Sequence, residues 1–97
     1  MKILITARHF TISEETRRYA HNETQRLEKV FDRIVAVHVI LEKIKDYIYE
    51  TELVVQAPLK VLTIHEKDEE LTKSIDLAVD KMIRRVKKYK EQLRAHP

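Results

Sequence analysis

Apolar and polar residues alternate at the start of the chain, with Ile3, Ile5 and Ala7 on one side and Lys2, Leu4, Thr6 and Arg8 on the other. A period of two predicts a first strand over residues 2–8. Ser13 follows as an N-cap, and Glu14 and Glu15 stand where acids favour the positive end of a helix dipole. Tyr19, Ala20, Leu27, Val30, Phe31 and Ile34 then recur at helical spacing and mark one face of a helix of about five turns. Val35, Val37, Val39 and Leu41 return to alternation with β-branched residues dominating, which predicts a second strand. A polar stretch around Lys45 and Asp46 leads into a third strand, whose apolar side is Tyr49, Thr51, Leu53 and Val55. Pro58 cannot donate to a ladder and closes that strand. Val61 to His65 forms a short fourth strand. Asp68, Glu69 and Glu70 open the last helix, which buries Leu71, Ile75, Ala78, Val79, Met82, Val86, Tyr89 and Leu93.

The predicted order is β-α-β-β-β-α, an α+β fold. Three consecutive strands predict an antiparallel meander, and two amphipathic helices need one face of a four-stranded sheet to bury their stripes. With 97 residues and neither repeat nor linker, residues 1–97 are read as one domain with a core that needs no disulfide or metal.

Composition narrows the chemistry. There is no Cys, so thiol catalysis and cysteine-ligated zinc are excluded, and no Gly, so neither a P-loop nor a dinucleotide fingerprint can form. Tight turns must be made by Asn, Asp, Pro or longer loops. Charged residues reach 36% and Asn22 is the single Asn, which resembles a heat-adapted composition. The longest apolar run, Val35 to Leu41, is interrupted by His38 and is too short for a bilayer. The N-terminus becomes charged before a signal sequence could form, so a cytoplasmic protein without a membrane partner is expected.

The histidines, at 9, 21, 38, 65 and 96, make no metal-ligand spacing, and His38 in mid-strand reads as a partly covered sheet residue. Glu66, Asp68, Glu69 and Glu70 lack the spacing of a calcium loop and read as helix capping. No catalytic residue, metal, cofactor or small-molecule substrate is expected.

Charge is better organised. The last seventeen residues hold seven Lys/Arg against Glu91 alone, whereas Glu42 to Glu70 carries eight acids against four lysines. A concentrated positive end points to a polyanion, most often nucleic acid. On the last helix Lys81, Arg84, Arg85 and Lys88 fall within an arc of about 100° opposite the apolar stripe, extended by Lys73 and Lys87. On the first, Arg18, Arg26, Lys29 and Arg33 share an arc of about 80°. Helices lying side by side would merge these stripes into one positive surface suited to a phosphate backbone. Tyr47 and Tyr49 fall on the third strand, where an RNA-recognition-motif domain places stacking residues. That fold runs β-α-β-β-α-β with a glycine-rich signature, so they are read as packing residues.

The stretch Ile12-Ser13-Glu14, Arg17, Arg26-Leu27-Glu28-Lys29 and Phe31-Asp32-Arg33-Ile34 resembles the first helix of the ribosome hibernation-promoting factors. The strand Val37-His38-Val39-Ile40-Leu41 and the set Ile75-Asp76, Val79-Asp80-Lys81-Met82, Arg84, Lys88 and Lys90 extend the likeness from about Lys2 to Leu93. The chain departs from the family where many members read Asp-Met/Leu-Tyr-Ala-Ala, since it has Glu70-Leu71-Thr72-Lys73-Ser74, and Glu23 stands where some carry Lys. The resemblance implies a fold like a double-stranded-RNA-binding domain and a protein without catalysis. It implies binding to the small ribosomal subunit, in the channel used by mRNA and tRNA, and silencing of idle ribosomes under stress or in stationary phase. Carried over by position, the rRNA-facing residues are Arg17, Arg26 and Lys29, with Lys81, Arg84, Lys88 and Lys90 on the last helix. The arc geometry adds Arg18, Arg33 and Arg85.

Two other classes fit the same residues. One is a general structured-RNA binder using the helical face, which would not prefer assembled subunits over naked duplex. The other is a protein-interaction regulator working through the sheet, which would keep binding after the helix charges are neutralised. A monomer off the ribosome is expected, since the chain ends at Pro97 with no dimerising extension and Lys2, Arg8, Glu42, Glu50 and Glu52 interrupt the open sheet face.

Overall fold

Both periodicities of the sequence become elements in the computed structural model, which describes residues 1–95; His96 and Pro97, the end of the predicted domain, lie outside the described residues. The elements are β1 (Lys2–Arg8), α1 (Glu14–Val30), β2 (Ala36–Lys45), β3 (Ile48–Ala57), β4 (Lys60–Asp68) and α2 (Leu71–Ala95). The sheet order is β1-β2-β3-β4. β2, β3 and β4 form the expected antiparallel meander. β1 pairs parallel to β2, with Ile3 opposite Val37 and Ile5 opposite Val39, because α1 is the crossover between them.

This register places Ile5, Val39, Leu53 and Ile64 in one row across the sheet, with Ile3, Val37, Val55 and Leu62 beside it. Both helices cover that face. Ala20 and Leu27 of α1 and Ile75, Ala78, Val79, Met82 and Val86 of α2 are fully buried against it. The buried residues Thr24, Thr51 and Ser74 are satisfied: Thr24 Oγ1 donates to the Ala20 carbonyl at 2.7 Å, and Thr51 Oγ1 lies 2.8 Å from Ser74 Oγ.

Cross-contacts fix the lay of the helices. Tyr19 meets Asp76, Arg26 meets Asp80 and Val30 meets Lys90, so α1 and α2 run parallel. Both N-termini therefore lie at the end that holds the β2–β3 turn and the acids Asp68, Glu69 and Glu70. Both C-termini lie at the other end, with Lys29, Arg33, Lys90 and Arg94. The molecule is 48 Å long along its principal axis.

Several boundaries differ from the sequence reading. α1 stops at Val30: Phe31 is extended at φ −149 and ψ 101, and its N–H caps the helix on the Leu27 carbonyl. Phe31 and Ile34 keep helical spacing and stay buried, but they do so from the turn that redirects the chain into β2. Val35, counted with the second strand, precedes it and is 62% exposed. β4 runs on to Asp68, where the carboxylate accepts the Glu70 amide at 3.1 Å. The acids thus cap α2 from outside its first turn. Tyr47 is not on β3 but in the turn before it, 80% exposed, whereas Tyr49 packs its ring 5.7 Å from Phe10.

Without glycine, left-handed backbone falls to His9, Tyr47 and Leu59, at φ 67, 63 and 65. In the β3–β4 hairpin Pro58 presets the first turn position and Leu59 takes the second, which usually goes to glycine.

Candidate nucleic-acid interface

The helices differ in charge more than the arcs indicated. α1 carries Arg17, Arg18, Arg26 and Lys29 against Glu14, Glu15, Glu23 and Glu28, and is neutral overall. α2 carries eight Lys/Arg against Asp76, Asp80 and Glu91.

Folding distributes the cations over three places. The 3.6-residue repeat turns Lys81, Arg85 and Lys88 toward β4, with Arg84 on the crest of α2. With Thr63 and His65 they line a groove of about 630 Å3. At the C-terminal ends of the helices, Lys29, Arg33, Lys90 and Arg94 ring a second groove of about 400 Å3 over Val30, Phe31 and Leu93. The seam between the helices is filled by pairs of opposite charge. Arg26 Nη1 donates to Glu23 Oε2 at 3.0 Å, and its Nη2 lies 3.3 Å from Asp80 Oδ1. Burial works against the Arg26 charge, yet the two carboxylates outweigh it and raise the guanidinium above its ordinary range. Tyr19 donates to Asp76 Oδ1 at 2.5 Å beside them. One merged stripe does not form along the helices, because Glu23, Asp76 and Asp80 lie in the seam.

Five of the ten predicted contact residues already have partners in the fold. Arg17 donates to the Ile5 carbonyl at 3.1 Å, Arg85 to the Thr63 carbonyl at 2.9 Å and Lys90 to the Val30 carbonyl at 3.1 Å. Lys81 pairs with Glu66, and Arg26 with Glu23 and Asp80. Arg17 and Arg85 thereby cover outward carbonyls on the two edge strands, β1 and β4, a common protection of open sheet edges. Arg18, Lys29, Arg33, Arg84 and Lys88 make no side-chain hydrogen bond or ion pair among the described residues. Arg33 reaches this set from the turn after α1, not from the helix.

The family model described as Sigma 54 modulation protein / S30EA ribosomal protein matches residues 3–94. The chain belongs to that family. The ribosome hibernation promoting factor of Azotobacter vinelandii is 34% identical to it, over 95% of this chain and 85% of the relative. The corresponding Escherichia coli factor is 26% identical over 99% of this chain and its own full length. The crystal structure of the Thermus thermophilus Protein Y N-terminal domain superposes with a TM-score of 0.82 at 26% identity, covering 92% of this chain and 99% of that one. The ribosomal subunit interface protein of Coxiella burnetii shares the fold with a TM-score of 0.86 at 23% identity, covering 94% of this chain and 99% of that one.

Within this member of the family, several other titratable groups are held in local contacts. His38 Nε2 sits 2.9 Å from Thr6 Oγ1, and His9 lies against Glu42 at 3.3 Å. Glu70 pairs with Lys73 at 2.8 Å. Among the described residues no group of three or more His, Asp or Glu side chains could hold a metal ion, and no helix is long and apolar enough to cross a membrane. Sequence reasoning missed Arg94, which the spacing of four from Lys90 marks, and the β4 wall of the larger groove, which no local pattern marks.

Proposed function

We propose that this protein is a non-catalytic translation regulator that binds the small ribosomal subunit in the mRNA/tRNA channel and silences idle ribosomes. The observation that carries the reading is the excess of cations on α2, where Arg84 and Lys88 are unpaired, together with unpaired Arg18, Lys29 and Arg33, in a chain that matches the family from residue 3 to 94. Ribosomal RNA is a fixed array of phosphates, and binding to it rewards preorganised Lys and Arg through counterion release. The relatives are named for ribosome hibernation and for the ribosomal subunit interface, and this chain spans most of each of them. Inhibition is steric: a rigid body in the channel competes with mRNA and tRNA by occupancy, so no side chain needs a catalytic pKa.

Co-sedimentation of the protein with purified small subunits tests this. About five phosphate contacts give a log–log dependence of affinity on salt with a slope of roughly −4. Absence of association, or affinity indifferent to salt, defeats the reading.

A further inference from the structure

The larger groove has a second wall that is not made of cations. Arg85 Nη1 donates to the Thr63 carbonyl, so that carbonyl points away from β3. In an antiparallel ladder the N–H and C=O of a residue face the same side, and the facing alternates along the strand. The hairpin gives the same parity independently. Ala57 and Lys60 close a two-residue turn and form a hydrogen-bonded pair, which makes Val54 and Thr63 a non-bonded pair. The amides of Thr63 and His65 therefore face the groove without a ladder partner. An outward N–H must find an acceptor in water or in a ligand. Here the acceptor site lies between Arg84, Arg85 and Lys88.

The surrounding side chains leave that site open. The His65 ring is turned to the outer sheet face, with Nδ1 3.8 Å from Glu50 and Nε2 3.4 Å from Glu52. Lys81 is drawn to Glu66 at the inner margin. Arg85 is anchored by one nitrogen, which fixes the direction of its remaining donors. Backbone amides on an open strand edge, flanked by fixed cations, form an anion site of the kind that phosphate groups occupy.

We propose that the groove between α2 and the edge of β4 holds one RNA phosphodiester strand, with the Thr63 and His65 amides donating to phosphate oxygens between Arg84, Arg85 and Lys88. This deepens the reading above and rests on its RNA partner. It also predicts a division of labour, in which α2 with β4 makes the stronger grip on the backbone and α1 the weaker.

Thr63→Pro is the direct test. It deletes the outward N–H without removing a ladder bond, a placement that edge strands tolerate. Thr63→Ala keeps the amide, and Lys88→Glu keeps it while placing a negative charge at the groove. Each variant is titrated against purified small subunits and against a short fluorescein-labelled single-stranded RNA, with thermal melts to confirm folding. Thr63→Ala is expected to bind within about twofold of wild type, and Thr63→Pro and Lys88→Glu to lose about tenfold on both probes. A folded Thr63→Pro with wild-type affinity overturns the proposal, and so does a Lys88→Glu with wild-type affinity if the proline variant does not fold. Subunit binding that ignores Thr63 sinks the groove and leaves the ribosomal reading standing. RNA binding that shows the losses, with no subunit binding by wild type, does the reverse.

Discussion

Tyr19 and Ser74 show how single groups tie α2 to the rest of the fold. The Tyr19 hydroxyl donates to Asp76, and that bond, with burial and the charge of Asp76, pushes the phenol up to about 12 from 10.0. A folded pKa above the unfolded one contributes stability that is complete below pH 10 and is lost as pH rises through 12. Tyr19→Phe is therefore expected to flatten the fall in melting temperature over that alkaline window. Parallel alkaline declines in both proteins would contradict it. Ser74 Oγ donates to the Leu71 carbonyl at 2.7 Å, which leaves Thr51 as the donor in the buried Thr51–Ser74 bond. Ser74→Ala strands the Thr51 hydroxyl at a cost of about 1–3 kcal/mol. Adding Thr51→Val removes the stranded group, so urea denaturation should find the double variant more stable than Ser74→Ala alone. A double variant at or below the single one would show that the hydroxyl was not the cause.

At the scale of elements, α1 is neutral overall and α2 carries the excess of cations. α2 presents Arg84 and Lys88 on its crest and β4 side, both exposed and unpaired, so the pair can be reversed without touching the core. Arg84→Glu with Lys88→Glu is expected to abolish ribosome binding and to leave the circular dichroism spectrum and melting temperature unchanged. Arg18→Glu with Lys29→Glu on neutral α1 should cost less. Full binding by the folded α2 double variant would falsify the assignment of this face. The order of elements and the buried stripes were legible in the sequence, because periods of two and 3.6 are set by local geometry. The end of α1 was not legible, since Phe31 keeps helical spacing while the chain has already turned. The parallel pairing of β1 leaves no local mark either. At the site, the residue types were legible and their availability was not. Whether Arg26 or Lys81 is free depends on Asp80 and Glu66, which come from α2 and β4 and meet them only in the folded chain.

The whole molecule offers two faces of different character. The helical side is basic, and the open sheet face carries Lys2, Arg8, Glu42, Glu50 and Lys67 among its exposed or half-buried residues. Homodimer cores are depleted of such charges, so light scattering at tens of micromolar should return the mass of a monomer, and a tight dimer would count against this account. Charge is also graded from end to end. Asp68, Glu69 and Glu70 precede α2, Glu14 and Glu15 open α1, and Lys29, Lys90 and Arg94 stand at the far end. These unit charges outweigh the roughly half charges of the two parallel helix dipoles, which point the other way. A body polarised in this way experiences a torque in the field of a polyanion. It arrives basic end first, before any contact is made. Added salt should therefore slow its encounter with RNA much more than it shortens the lifetime of the bound state, which stopped-flow rates measured across a salt series would reveal.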